Sequence, residues 1–255
     1  MNFLRDTMLI FVRQTRLAMR DPAWLIIGLT QPALYLAFLG PLLERITING
    51  GGGSPTGNSW QLFVPGLLIQ LGLFGAGFVG LGIIADVRAG VIERMRVTPV
   101  SRYALLVGRV LRDVVVLLAQ AVVLLTASFA FGLRASATGL AIVLGMVALL
   151  GVSLSAGSYT LGLLLRREEA LAPMLNAVMV PLMLLSGVVL PMRLAPGWLD
   201  AISLVTPFRY VVDAMRSALY GQYGTVQLWS GVAVAGLLAV VCLSVGARVF
   251  ARESA

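Results

Sequence analysis

Long apolar stretches alternate with short polar ones along the whole chain. Six of these stretches contain no Asp, Glu or Arg, and about 20 apolar residues suffice to cross the hydrocarbon core of a bilayer. The pattern therefore predicts six transmembrane helices. They cover Trp24–Leu43, Gln61–Ala85, Val114–Leu133, Gly139–Leu165, Leu171–Leu190 and Val226–Ala247.

Composition supports this prediction. The 255 residues are 59% hydrophobic and only 12% charged, whereas about 25% of the residues in a soluble domain are charged. The polar segments between the spans are short, so residues 1–255 are expected to form one transmembrane domain. The predicted fold class is an all-α membrane protein.

The arginines are distributed unequally between the two sides that the six spans define. All 19 basic residues are arginine; fourteen fall on one side and five on the other. Because basic residues concentrate in cytoplasmic segments, the richer side is predicted to be cytoplasmic. We therefore expect a multi-pass protein of the cell membrane with both termini in the cytoplasm. Arginines that flank apolar segments also argue against a nucleic-acid partner.

The N-terminal residues 1–23 precede the first span and have a helical pattern. On a helical wheel, Arg5, Arg13, Arg16 and Arg20 share one face, and most apolar residues lie on the other. This sorting favours an interfacial helix on the inner membrane surface, in contact with membrane lipids. The alternative is a simple basic flank to the first span.

A dense polar segment, residues 86–102, follows the second span. Residues 86–97 form an amphipathic pattern, and Pro99 disfavours helical geometry at Thr98, so a short helix is predicted to end there. Ser101 can then cap the next helix. This segment is either an arginine-rich loop or a docking element for a cytosolic partner. The polar arc of the wheel comprises Asp86, Glu93, Arg94 and Arg96.

Residues 191–224 are too polar to span and too apolar for a free loop. Their aromatic residues suit a membrane interface. We expect one or two short re-entrant helices against the outer leaflet.

Several kinds of chemistry are excluded by residues that the sequence lacks. Without lysine there is no standard phosphate-binding loop, and without histidine there are no Ser-His or Cys-His nucleophile pairs. Cys242 is the only cysteine. No metal site or catalytic residue is expected. Polar side chains within the spans either line a substrate pathway or bond neighbouring helices. The candidates for the pathway are the polar residues Gln31, Gln70 and Asn176, together with the aromatic Phe74.

Two segments resemble the type-2 ABC exporter permeases, most closely the drug-resistance, daunorubicin-exporter-like branch. The first is ADVRAGVIERMRVTPVSRYALLVGRVLRD at residues 85–113, with PGLL upstream at 65–68. The second is SGVVLPMRLAPGWLDAISLVTPFRYVVDAMRSAL at residues 186–219. Thr206 stands where that family often has Asn.

The resemblance implies a six-helix exporter domain with an inner interfacial helix, a cytoplasmic coupling helix and outer re-entrant helices. It implies pairing with a second permease copy or close homologue, and two copies of a separate ABC ATPase that hold ATP and Mg. The coupling helix would dock in that ATPase. The residues assigned to this docking are Asp86, Arg88, Gly90, Glu93, Arg94, Arg96, Thr98 and Pro99.

The function implied is ATP-driven export of amphiphilic compounds of the drug or antibiotic type by a permease subunit that is not itself an enzyme. An exporter of a lipid or lipid-linked glycan is the alternative within the family. A passive channel, which needs neither an ATPase nor an ionisable group within the spans, and a membrane scaffold are remoter alternatives; proton coupling is not indicated, because the spans carry no ionisable group.

Overall fold

A computed structural model describes residues 3–20, 28–38, 59–90, 102–188, 192 and 195–253. Within these ranges the chain forms ten α-helices and no β-strand. The helices are α1 (Phe3–Arg20), α2 (28–38), α3 (Ser59–Gly75), α4 (Gly80–Arg88), α5 (Arg102–Ala130), α6 (Ala137–Leu165), α7 (Glu168–Leu185), α8 (Gly197–Ser203), α9 (Pro207–Leu219) and α10 (Val226–Glu253).

Five helical segments are long and apolar enough to cross a membrane, and they coincide with five of the six predicted spans. They are Trp60–Arg88, Tyr103–Ala130, Ala137–Leu165, Glu168–Leu185 and Val226–Arg252. The remaining predicted span, Trp24–Leu43, lies partly outside the described residues, and α2 is the part that is described. The count of six therefore stays a prediction.

The second predicted span is not one continuous helix, contrary to the simplest interpretation of its apolar pattern. Residues 76–79 form turns between α3 and α4. The amide of Gly77 donates to the carbonyl of Gly72, five residues back, at 3.3 Å. The amide of Leu81 donates to the carbonyl of Phe78, only three residues back. An α-helix would have a spacing of four residues in both cases. The helical hydrogen-bond ladder is therefore interrupted, which apolar periodicity does not report.

The long helices give the bundle two ends. We call one the arginine-rich end; it carries the C-termini of α4, α6 and α10 and the N-termini of α5 and α7. Helix α1 packs on α5 near this end. A Cβ on Gly108 would lie 2.8 Å from Cγ2 of Ile10 and 3.0 Å from the carbonyl oxygen of Thr7. Helices α8 and α9 lie at the opposite end.

Helix α1 exposes both its polar and part of its apolar surface. Its four arginines are exposed, and so are Leu4, Met8 and Met19 on a neighbouring arc. Thr7 faces the bundle and is buried. A helix with charged and apolar faces both uncovered suits the boundary between lipid and water.

Helix α6 is the centre of the bundle, because it packs against α3, α4, α5, α7, α9 and α10. It is apolar on every side, as expected of a membrane helix that faces other helices and lipid. Small residues bring its neighbours close: a Cβ on Gly139 would lie 2.4 Å from the carbonyl oxygen of Ala218 in α9. Close backbone approach through small residues is how membrane helices gain van der Waals contact.

Candidate functional site at the arginine-rich end

An ion pair fastens the end of α4 to α5. Nη2 of Arg109 lies 2.7 Å from Oδ2 of Asp86. The Arg109 side chain is 7% exposed and that of Asp86 is 35% exposed. A charge-assisted contact this short, partly shielded from water, is stronger than a surface pair. Asp86 is thus engaged within the chain, rather than being freely available to a partner.

A second ion pair joins the same end of α4 to α7. Nη1 of Arg88 lies 3.4 Å from Oε1 of Glu168, and these side chains are 52% and 43% exposed. Such an exposed pair contributes little to stability. It does place one cation and one carboxylate on the surface of the arginine-rich end, where a soluble partner can reach them.

The structure describes only the start of the predicted helix over residues 86–97, because residues 91–97 lie outside the described residues. Helix α4 continues from the second span through Asp86 and ends at Arg88. Gly90 then adopts a φ of 66°, a left-handed conformation that glycine permits and that commonly terminates helices. Five of the predicted docking residues lie outside the described residues: Glu93, Arg94, Arg96, Thr98 and Pro99.

One turn further into the bundle lies a polar cluster that the sequence analysis missed. Asp113 is 4% exposed; its Oδ1 accepts from Nη1 of Arg112 at 2.6 Å. Its Oδ2 accepts from the hydroxyl of Tyr159 in α6 at 2.5 Å. The predicted third span began at Val114, so this carboxylate was treated as a flanking charge. Tyr159 is the signal that was available, because a tyrosine within an apolar span needs a hydrogen-bond partner when it is buried.

This cluster borders a narrow cleft beside the interruption between α3 and α4. The cleft has room for about one water molecule. That space is too small for an amphiphilic substrate, so we do not assign the cleft as a transport pathway. Its lining residues are Gly75, Ala76, Val79, Arg112, Asp113, Val116, Leu117 and Gln120.

The four residues predicted to line a pathway do not share one surface within this chain. Gln31 in α2 and Asn176 in α7 are exposed. Gln70 in α3 is 1% exposed, and its Nε2 has no hydrogen-bond partner among the described residues. Phe74 stacks on Phe78 with ring centroids 6.0 Å apart. Only Gln31 and Asn176 are placed to meet a molecule outside the bundle.

The opposite end contains buried arginines with a different role. Arg216 in α9 donates from Nη2 to the carbonyl of Gly187 at 2.7 Å and from Nε to the carbonyl of Leu62 at 3.1 Å. Arg209 donates to the Asp200 carbonyl at 2.9 Å and pairs with the Asp200 carboxylate at 2.7 Å. These side chains tie α9 to α3, to α8 and to the end of α7.

Within the described residues, the chain is a helical bundle with five helices able to span a bilayer and with ion pairs at both ends, which is typical of multi-pass membrane proteins. Residues 5–220 match the model of the ABC-2 type transporter family. The chain therefore belongs to that family. It is a transmembrane permease subunit of an ABC transporter, a kind of subunit that works with an ATPase subunit.

Curated relatives agree with this assignment. The chain is 28% identical over 230 residues to the daunorubicin resistance ABC transporter permease protein DrrB1 of Streptomyces coeruleorubidus, covering 88% of this chain and 75% of that protein. It is 25% identical over 216 residues to the transport permease ycf38 of Cyanophora paradoxa, covering 84% and 74%. The ycf38 protein of Pyropia yezoensis is 27% identical over 200 residues, covering 77% and 68%.

Proposed function

We propose that this chain is the membrane subunit of an ATP-driven exporter that moves amphiphilic compounds of the drug or antibiotic type out of the cell. The similarity to a daunorubicin resistance permease supports this substrate class. The chain's own surface is compatible with it, because an amphiphile can enter such a protein from the bilayer. In this proposal ATP and Mg bind to a separate ATPase subunit and not to this chain.

The observation that carries the proposal is how the end of α4 is held. Asp86 pairs with Arg109 of α5, and Arg88 pairs with Glu168 of α7. The segment 86–102, proposed to dock in the ATPase, begins at this point. A displacement of that segment by the ATPase would therefore reach α4, α5 and α7 together, and this gives the permease a way to respond to ATP binding.

A second permease copy or close homologue is proposed to cover α7. Of the five candidate spans, this helix has the smallest buried share. Asn176 lies on its exposed surface, and among the described residues its amide donates to the Ala172 carbonyl of its own helix, at 3.2 Å. Polar side chains at membrane depth usually face protein or a water-filled path rather than lipid. We therefore place the pathway along α7, between two permease copies and above two ATPase subunits.

The test is ATP hydrolysis by the purified complex of this chain and the ATPase that co-purifies with it, in proteoliposomes. Daunorubicin and other amphiphilic cations should stimulate hydrolysis and be transported, while a hydrophilic sugar of similar mass should do neither. Stimulation by a lipid-linked glycan alone would instead identify a lipid or glycan exporter. Flux through the permease without any ATPase would identify a passive channel and overturn the proposal.

A further inference from the structure

The interruption between α3 and α4 is held by a single side chain from another helix. The hydroxyl of Ser158 in α6 donates to the carbonyl of Gly77 at 2.5 Å. The same oxygen accepts from the amide of Gly80 at 2.8 Å. Both contacts are buried. One hydroxyl therefore satisfies a backbone donor and a backbone acceptor that a broken helix would otherwise leave unpaired inside the membrane domain.

Around this contact the backbones of α4 and α6 touch directly. A Cβ on Gly80 would lie 2.2 Å from the carbonyl oxygen of Ser158, and a Cβ on Gly162 would lie 2.5 Å from the carbonyl oxygen of Gly80. No side chain other than hydrogen fits at either position without a shift of backbone. Helix α4 is thus pressed against α6 at Ser158 and again one helical turn further along α6, at Gly162.

In a continuous helix the Gly80 amide would instead bond the carbonyl of residue 76, four positions back. The Ser158 hydroxyl competes with that bond and favours the interrupted form. Below the interruption, α4 is nine residues long and leads directly into segment 86–102. Its direction therefore sets the direction in which that segment leaves the bundle.

We propose that Ser158 is a positioning residue for coupling: it fixes α4 to α6, so that a displacement of segment 86–102 is delivered to α6 and not along α3. This inference rests on the proposed function in that it takes segment 86–102 as the ATPase docking element. Helix α6 contacts six other helices, so a displacement delivered there is distributed through the bundle. Helix α3, separated by the turns at 76–79, does not have to move with α4.

The variant Ser158→Ala removes both hydrogen bonds and leaves room for α4 to join α3 as one helix. Ser153→Ala is the matched control, because the Ser153 hydroxyl is also buried in α6 but bonds only the Leu150 carbonyl of its own helix. In the complex with the ATPase, we expect Ser158→Ala to keep partner binding and basal hydrolysis. Transport per ATP hydrolysed should fall about tenfold, the scale set by an unpaired buried backbone group. Ser153→Ala should behave as wild type.

A distance measurement on the permease alone separates this inference from the proposed function. Spin labels at Ala85→Cys in α4 and Val123→Cys in α5, in a Cys242→Ser background, lie at exposed positions. Ser158→Ala should shift or broaden their distance distribution, and Ser153→Ala should not. An unchanged distribution overturns the inference even if the complex transports drugs. A changed distribution supports it even if the wild-type complex shows no stimulated hydrolysis and the proposed function fails.

Should Ser158→Ala not be recovered as a folded protein, Ser158→Cys takes its place in the transport assay. A thiol is somewhat larger than the hydroxyl and is a weak donor and acceptor. Transport per ATP should then fall to an intermediate value. Fully wild-type coupling in that variant would contradict the inference.

Discussion

Arg88 and Arg216, at opposite ends of the bundle, use the same kind of side chain in opposite ways. At the arginine-rich end, Arg88 is half exposed and pairs with a carboxylate on another helix. At the opposite end, the Arg216 side chain is 7% exposed and bonds two backbone carbonyls from other parts of the chain. The first arrangement leaves a charged side chain exposed at the surface. The second buries the guanidinium and satisfies it with hydrogen bonds inside the fold.

This difference affects how arginines should be counted when the orientation of the protein in the membrane is inferred. Two of the five arginines assigned to the outer side, Arg209 and Arg216, are buried and paired with acidic residues. They therefore add little free positive charge to that side. Because Arg109 at the arginine-rich end is buried and paired as well, setting buried arginines aside lowers the count at both ends, and it removes two of the five at the outer end.

The largest expected contrast between the ends is in accessibility. In a Cys242→Ser background, cysteine at Ala137 should react with a membrane-impermeant thiol reagent added to intact cells, and cysteine at Glu169 should react only after the cells are opened. Both positions are exposed and lie at opposite ends of the bundle. Labelling of the Glu169 position in sealed cells would show that the arginine-rich end lies outside the cell, where a cytoplasmic ATPase could not bind it.

Loss of a buried arginine clamp should produce the largest effect on stability. Arg216→Ala removes the bonds to Gly187 and Leu62 and leaves Asp213 without its cation, which should cost about 3 kcal/mol. The melting temperature of the purified permease in detergent should fall clearly. Arg134→Ala, an exposed arginine at the same end, is the control and should melt with the wild type. Equal melting of the two variants would show that the clamp is not structural.

A smaller effect is expected in the buried cluster of α5 and α6. Asp113→Ala leaves Arg112 and the Tyr159 hydroxyl without their acceptor and should cost about 2 kcal/mol. Tyr159→Phe removes only one donor, while Arg112 still pairs with the carboxylate, and should cost about 1 kcal/mol. Thermal melts of both variants test this order. If Tyr159→Phe were the more damaging change, the carboxylate would not be the centre of the cluster.

The smallest stability effect belongs to the exposed pair. Arg88→Ala and Glu168→Ala should each change the stability by less than about 0.5 kcal/mol, because both side chains remain in contact with water. Any loss of transport in these variants would then reflect partner docking or coupling rather than folding. A melting shift as large as that of Arg216→Ala would show that the pair is structural after all.

Sequence patterns located most of the helices because apolar length alone identifies a span. They could not locate the interruption at residues 76–79, since it depends on Ser158, which is some 80 positions away. They placed Asp113 just outside the third span, because its partner Tyr159 is likewise distant in the sequence. A family motif identified Asp86 and Arg88 as candidate docking residues. The motif did not show that Asp86 is paired with α5 and Arg88 with α7.

The most direct test of the account is Glu93→Arg in the complex of this chain with its ATPase. Glu93 is the only acid in the ERMR stretch, and an interface charge that loses its partner costs roughly 2–5 kcal/mol. We predict a normally expressed permease that no longer retains the ATPase, or retains it with hydrolysis uncoupled from transport, while Arg134→Glu at the opposite end keeps both. The chain alone should show no ATP hydrolysis. Unchanged partner binding and unchanged drug-stimulated hydrolysis in Glu93→Arg would contradict the docking of the ATPase at segment 86–102.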